Sequence, residues 1–224
     1  FLISLGASTL SCTVSLEQDV EWRTYQGDPG RNQYSTLDQI NRENVERLEV
    51  AWTYQTGGKG EDNRSQIQCN PIIVNGVLYA TSPKLKAFAL NAATGAELWS
   101  YEPFRESEER ISLGVNRGVV YWEAGDDQRI LYTAGPYLFA LRADSGERIE
   151  DFGTHGSVDL RLGLYREDET LFVSSTTPGA VYKDLLILGT RVSEGPGPAA
   201  AQHGQSNDPS RQHQDQRDSQ RGER

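Results

Sequence analysis

AFALNAATGAE, residues 87–97, returns as LFALRADSGE, residues 138–147, and this repeated stretch decides the fold. The two copies begin 51 residues apart, at residue 87 and at residue 138. A matching apolar run precedes each copy, at residues 77–80 and 130–133, and a third such run occupies residues 185–189. Four-stranded units that repeat every 40 to 50 residues or so are typical of β-propeller blades. The sequence therefore predicts an all-β chain of about three propeller blades.

Composition and charge narrow the possible partners. The chain has 224 residues and a net charge of −10. Residues 199–224 hold four Arg against four Asp and Glu, so the whole imbalance belongs to residues 1–198. Binding to phosphate backbones needs a basic surface, which this acidic body lacks. Nucleic acid is excluded as a partner, and a neutral substrate or a metal cation fits better.

The two ends of the chain differ from its body. Residues 1–12 are apolar and then small, as in the tail of a secretory signal peptide. We assign residues 1–16 to a residual signal peptide or a lipoprotein leader, with Cys12 as the lipidation site in the second case. The chain is thus expected to be periplasmic or secreted, either free or lipid-anchored.

Residues 17–198 are expected to form a partial propeller, and residues 199–224 a disordered tail. The tail lacks Val, Ile, Leu, Met, Phe, Trp, Tyr and Cys, so burial cannot offset the entropy of ordering it. A reading-frame error is an alternative origin for this segment.

Two local elements are expected before the first repeat. Thr36 and Gln39 have the spacing of a capping box, which predicts a short helix after residue 36. Residues 48–57 alternate between polar and β-favouring residues and stop at a glycine, which predicts a strand.

Four stretches carry a resemblance to a known family. AATGAELW (92–99) is similar to the tryptophan-docking repeat of the pyrroloquinoline quinone (PQQ) dehydrogenases, and WRTYQGD (22–28), QYSTLDQIN (33–41) and NVERL (44–48) resemble the residues that lead into their propeller. The resemblance covers residues 22 to about 198, and the glucose dehydrogenase-like quinoproteins are the most similar branch. It implies an eight-bladed ring with PQQ lying flat at its centre against a calcium ion, a hard cation that takes oxygen ligands.

The resemblance also implies a reaction. The chain would be part of a dehydrogenase that oxidises glucose, or a related sugar or alcohol hydroxyl, and passes electrons to ubiquinone or cytochrome c. The catalytic aspartate of the family belongs to a later blade, so no catalytic residue is predicted here and the chain alone is expected to be inactive. The alternative is a non-catalytic propeller scaffold of the outer-membrane assembly type, which a lipidated Cys12 would suit.

Cofactor-binding residues follow from the same resemblance. Arg117, in VNRG (115–118), matches the arginine that hydrogen-bonds the quinone; the alternative for Arg117 is a surface or inter-blade salt bridge. Gln68 matches a cofactor-contacting Glu or Gln, and Thr176 or Thr177 matches a hydroxyl that bonds a cofactor carboxylate. All three could instead be strand-end residues that satisfy backbone groups.

A metal ligand is expected at the end of the third unit. Glu194, in GTRVSE (189–194), falls where several relatives have a calcium-ligating glutamate; the alternative is a solvated loop residue. We expect Gln68, Arg117 and Glu194 to meet at one inner rim of the propeller.

Other residues limit the chemistry. The resemblance assigns Trp52 and Trp99 to packing between blades, whereas the role of Trp122 stays open. Ile111 and Ser112 occupy the positions where alcohol-oxidising relatives have two adjacent bonded cysteines, which favours the sugar-oxidising branch. His155 has no histidine near it in sequence, so no histidine metal site is predicted.

Overall fold

A computed structural model describes residues 21–58, 65–104, 115–164 and 172–192. Within these ranges the chain is built of antiparallel strands and one short 3-10 helix, Val45–Arg47. The predicted all-β class is therefore confirmed. Predictions made for residues 1–16, the tail 199–224, Ile111, Ser112 and Glu194 lie outside the described residues.

The first repeat folds into a four-stranded antiparallel sheet with the strands in sequence order. Its first two strands are joined by Asn75 and Gly76, which have φ values of 50° and 73°. A two-residue turn with positive φ at both positions matches the twist of the strands it joins, and Asn-Gly is the preferred pair. Its strands are β1 (Ile72–Val74), β2 (Val77–Thr81), β3 (Ala87–Asn91) and β4 (Glu97–Tyr101).

The second repeat forms a sheet of the same order. Here the fourth strand does not follow the repeat directly: residue Arg148 makes only an isolated bridge to Leu141, and the edge strand begins at Ser157. The second unit thus carries a longer connection than the first. Its strands are β5 (Val120–Ala124), β6 (Asp127–Ala134), β7 (Tyr137–Arg142) and β8 (Ser157–Asp159).

The third unit consists of two strand pairs in the described residues. One is the hairpin of β10 (Ala180–Tyr182) and β11 (Leu185–Ile187), which confirms the strand expected at residues 185–189. The other pairs β9 (Val173–Ser174) with β12 (Arg191–Val192).

Both faces of the first two sheets are buried. Tyr79 belongs to a cluster shared with the second sheet, whereas its neighbours Leu78 and Ala80 pack on the opposite face. Tyr132 and Leu131 divide in the same way in the second sheet. Because side chains alternate between the two faces of a strand, a sheet covered on both sides needs apolar residues at consecutive positions. The cluster shared by the two sheets includes Ile72, Val74, Leu85, Trp99, Val119, Ile130, Phe139 and Leu141.

Different segments pack on the outer face of the first sheet and on the outer face of the second. Trp52 and Tyr54 pack against Phe88 on the first sheet. Leu186 and Leu188 of the third unit pack against the cluster on the far face of the second sheet. Successive units therefore stack face to face, as blades of a propeller do.

Two tryptophans dock in the same manner behind the third strand of a sheet, Trp52 from the N-terminal segment onto the first sheet and Trp99 from the first sheet onto the second. The indole nitrogen of Trp52 donates to the carbonyl of Ala92 at 3.1 Å, and that of Trp99 donates to the carbonyl of Ala143 at 2.9 Å. A Cβ atom at Gly146 would lie 2.5 Å from the ring of Trp99, so the ring needs a glycine beneath it. The predicted packing between blades is confirmed for Trp99, and Trp52 packs on the first sheet from a segment that forms no strand.

Of the two local elements predicted before the first repeat, a short helix forms without the predicted cap, and the strand does not form. The 3-10 helix begins at Val45 behind Asn44, and Thr36 does not cap it. Residues 48–57 form no strand. Their alternation instead reflects docking by side chains: the Trp52 indole bonds Ala92, and the Tyr54 hydroxyl donates to the carboxylate of Glu97.

Candidate functional site

Three segments from consecutive units lie side by side at one end of the sheets. Residues 68–70 precede β1, residues 115–118 precede β5 and residues 175–178 precede β10. The amide of Asn70 donates to the carbonyl of Arg117 at 2.9 Å, and the amide of Arg117 donates to the carbonyl of Thr176 at 2.7 Å. We call these three segments the rim.

The rim is closely packed at Gly118. A Cβ atom there would lie 3.1 Å from the carbonyl oxygen of Asn70, 3.1 Å from the ring of Tyr25 and 3.3 Å from Pro178. The neighbouring segments thus approach the backbone of residue 118 from both sides. Only glycine fits this position without displacing a neighbour.

A buried asparagine ties the rim to the sheets below it. Asn116 is 3% exposed, and its side-chain nitrogen donates to the carbonyl of Thr133 at 2.9 Å. Its side-chain oxygen accepts from the Gly118 amide at 2.8 Å and from the Thr81 hydroxyl at 3.3 Å. The Thr133 hydroxyl in turn donates a hydrogen bond to the carbonyl of Ser175 at 2.5 Å. Sequence reasoning missed Asn116, although the affinity of asparagine side chains for nearby backbone groups could have drawn attention to it.

Arg117 presents a cation at the rim. Its side chain is exposed, and within the described ranges its guanidinium makes no hydrogen bond or ion pair. The inter-blade salt bridge considered as its alternative is therefore not formed among those residues. A planar guanidinium whose donors are free suits an anionic or carbonyl oxygen ligand.

The other predicted cofactor residues lie on the same rim. Gln68 is exposed, two residues before Asn70, and its side chain donates to that of Gln66 at 2.8 Å. Thr176 and Thr177 are half-buried, and Thr176 is bonded through its carbonyl to Arg117. The backbone thus brings together amide, hydroxyl and guanidinium donors from three units. Glu194 lies outside the described residues.

Cys69 is a packing residue of the rim. Its sulfur accepts a hydrogen bond from the Thr81 amide at 3.3 Å. Burial raises the pKa of the Cys69 thiol. A buried thiol with a raised pKa is a poor nucleophile, so no thiol chemistry is expected here.

Metal-binding clusters are absent from the parts of the chain that the structure describes: no three His, Cys, Asp or Glu side chains come together there. His155 is exposed, and its Nδ1 lies 3.7 Å from the carboxylate of Glu150. Trp122 stacks against the guanidinium of Arg129, 5.2 Å from its ring centre, and does not belong to the rim.

A cavity of about 180 Å³ adjoins the rim between the N-terminal segment and the second and third units. Arg23, Tyr25, Tyr121 and Val181 are among its lining residues. Gln68, Arg117, Thr176 and Thr177 do not line this cavity.

None of the helical structure in the described ranges is long and apolar enough to pass through a lipid bilayer.

Comparison with known sequences gives one family. The family described as PQQ: Glucose/ethanol/alcohol dehydrogenase, beta-propeller domain matches residues 22–207. The chain is 43% identical over 133 residues to the alcohol dehydrogenase (quinone), dehydrogenase subunit, of Gluconobacter oxydans, with 58% of this chain and 16% of that protein covered. It is 30% identical over 196 residues to the quinoprotein glucose dehydrogenase of Escherichia coli, with 79% of this chain and 24% of that protein covered.

A solved structure is similar as well. The quinohemoprotein alcohol dehydrogenase from Comamonas testosteroni matches with a TM-score of 0.61 and 26% identity, over 77% of this chain and 23% of that one. The chain spans about a quarter of the length of the first curated relatives that it matches.

Proposed function

Since the chain belongs to the family of PQQ-dependent glucose, ethanol and alcohol dehydrogenase propellers, we propose that its rim forms part of the PQQ site of a quinoprotein dehydrogenase. The observation that carries the proposal is the backbone ladder from Asn70 through Arg117 to Thr176, which joins the three segments that contain the residues matched to cofactor contacts.

The donors on the rim suit this cofactor. PQQ carries carboxylates and two adjacent quinone oxygens, all of which accept hydrogen bonds. Arg117 supplies a charged donor fork, Thr176 and Thr177 supply hydroxyls, and Gln68 supplies an amide. When bound, PQQ supplies the acceptor for the hydride of the substrate. The residues of this chain bind it and fix its orientation.

We also assign a calcium ion to the complete site, with Glu194 as the ligand from this chain. Calcium takes oxygen ligands, and the carboxylate of Glu194 would supply one. A calcium ion there would supply Lewis-acid polarisation of the quinone.

We propose a sugar, and specifically glucose or a related aldose, as the substrate. Ile111 and Ser112 support this choice, because they stand where the resemblance to alcohol-oxidising enzymes would require two bonded cysteines.

Ubiquinone or cytochrome c is proposed as the electron acceptor. The name of the Gluconobacter oxydans relative gives a quinone for that protein. We propose the periplasm or the outside of the cell as the location, on the basis of the apolar residues 1–12.

Dye reduction by the protein from the whole reading frame that encodes this chain tests the function. The protein is freed of cofactor and then supplied with PQQ and calcium, with glucose or with ethanol as substrate. Dye reduction should require PQQ and should be at least about tenfold faster with glucose, a difference near 1.4 kcal/mol in transition-state binding.

Two negative results of this assay would overturn different proposals. Faster reduction with ethanol would overturn the sugar assignment and leave the dehydrogenase proposal standing. No reduction with any sugar or alcohol, together with no binding of PQQ, would overturn the dehydrogenase proposal and favour the non-catalytic scaffold.

A further inference from the structure

We propose that Asn116 is the positioning residue that aims Arg117 at the cofactor, an inference that rests on the proposed function of the rim. Arg117 has no side-chain partner within the described residues. No other side chain among those residues holds its guanidinium, so the groups that fix the backbone of Arg117 determine the region that the guanidinium can reach.

Asn116 clamps the backbone on both sides of Arg117. Its side-chain oxygen accepts from the amide of Gly118, two residues on, which closes a local turn around residue 117. The peptide groups of Arg117 are occupied as well, since its amide bonds Thr176 and its carbonyl bonds Asn70. The two bonds across the rim therefore hold a turn that the Asn116 side chain has already shaped.

The same side chain fixes this turn to two different sheets. The hydroxyl of Thr81, in the first sheet, donates to its oxygen at 3.3 Å, and its nitrogen donates to the carbonyl of Thr133, in the second sheet, at 2.9 Å. An amide serves as acceptor and donor at once, which neither a carboxylate nor a hydrocarbon of the same shape can do. With Asn116 only 3% exposed, water cannot replace these bonds.

This arrangement explains how Asn116 could raise the affinity for PQQ without touching the cofactor. A flexible arginine must lose conformational freedom when it binds an anion, and a rigid backbone beneath it reduces that loss. Asn116 is expected to influence PQQ binding only through Arg117, so its effect should vanish when the guanidinium is absent.

A double-mutant cycle on PQQ affinity tests this dependence. The protein from the whole reading frame is titrated with PQQ in the presence of calcium, and binding is followed by quenching of tryptophan fluorescence. Asn116→Ala should weaken binding about tenfold, and Arg117→Ala more than that. Adding Asn116→Ala to Arg117→Ala should change the affinity less than about twofold.

Matched variants separate positioning from loss of stability. Ile130→Ala removes a fully buried side chain of the second sheet that belongs to the shared cluster, so it should lower stability yet leave PQQ affinity within about twofold at a temperature where the protein is folded. Thr81→Val removes one partner of Asn116 and keeps the asparagine, so it should weaken binding about threefold even if Asn116→Ala does not fold.

The outcomes are distinct. The inference would be overturned, with the proposed function still standing, by either of two results. Asn116→Ala could weaken PQQ binding equally with and without Arg117, or Asn116→Ala and Thr81→Val could both leave PQQ affinity unchanged. Failure of the unaltered protein to bind PQQ would overturn the proposed function and the inference together.

Discussion

The indole nitrogen of Trp99 lies 2.9 Å from the carbonyl oxygen of Ala143, 44 residues further along the chain. The hydroxyl of Tyr79 donates to the same oxygen at 3.2 Å. Both donors belong to the first sheet, and the acceptor follows the third strand of the second sheet. One buried carbonyl thus holds the two units in register.

Loss of the indole bond should weaken this junction. Trp99→Phe should lower the free energy of unfolding by about 1 to 3 kcal/mol, because it removes a buried donor and part of a packed ring. Chemical denaturation measures the change. Trp122→Phe is the control, since Trp122 is only half-buried and stacks on Arg129. Equal losses in the two variants would argue against a special role for the Trp99 bond.

The glycine beneath Trp99 offers a sharper test. Gly146→Ala would bring a Cβ atom within 2.5 Å of the ring at a φ of +71°, whereas Gly125→Ala meets nothing within 4 Å at a φ of +60°. Both variants carry the backbone cost of a side chain at positive φ, about 1 to 2 kcal/mol. Only Gly146→Ala carries the collision as well, so it should lose at least about 1 kcal/mol more. The prediction fails if thermal or chemical unfolding gives the two variants the same stability.

Tyr79 should make stability depend on alkaline pH. Burial, with the phenol of Tyr121 and the carboxylate of Asp144, raises the pKa of Tyr79 to about 12. A tyrosine in the unfolded chain has a pKa of about 10, so the folded protein holds the phenolic proton of Tyr79 more tightly. The stabilisation is therefore complete below about pH 10 and is lost as the pH rises through about 12.

Tyr79→Phe removes this titration. Between about pH 10 and pH 12 the free energy of unfolding should fall more steeply for the unaltered protein than for the variant. The remaining tyrosines titrate in both proteins, so the difference between the two curves isolates Tyr79. Parallel curves would contradict the assignment.

Close packing at Gly118 should make the rim intolerant of a side chain. Gly118→Ala should lower stability by about 1 to 3 kcal/mol and speed hydrogen exchange at the Arg117 amide, because Asn70 and Pro178 must move apart. Gly189→Ala meets nothing within 4 Å and should change stability by less than about 0.5 kcal/mol. Slow exchange at Arg117 in the Gly118 variant would show that the rim adapts without opening.

The repeat made the blades predictable, because strand and turn preferences are local. Apolar residues at consecutive positions in residues 77–80 and 130–133 became the doubly covered strands β2 and β6, and Asn75-Gly76 became the turn its chemistry favours. The segment 48–57 misled for a related reason. Alternation records which side chains are buried, but a strand also needs a backbone partner, and here Trp52 and Tyr54 supply side-chain contacts instead.

The rim depends on distant partners and had no local signature. Asn70 and Arg117 are 47 residues apart, and Arg117 and Thr176 are 59 residues apart, yet their peptide groups meet directly. The resemblance named Arg117, Gln68 and the two threonines as residues of interest. The resemblance also placed Gln68 and Arg117 at one inner rim. The backbone ladder through Asn70, Arg117 and Thr176, and the part taken by Asn116, required the structure because both arise from how the units stack.

Equilibrium titration with PQQ of the unaltered protein, Arg117→Ala and Arg142→Ala tests the central claim most directly. Arg142 is an exposed arginine of β7. It pairs with Arg129 of β6, so it lies at the end of the second sheet that is opposite the rim. Loss of a charge-assisted bond at the rim should weaken PQQ binding about tenfold to a hundredfold in Arg117→Ala, while Arg142→Ala should bind within about twofold of the unaltered protein. Equal affinities in the two variants would contradict the claim that Arg117 and the rim hold the cofactor.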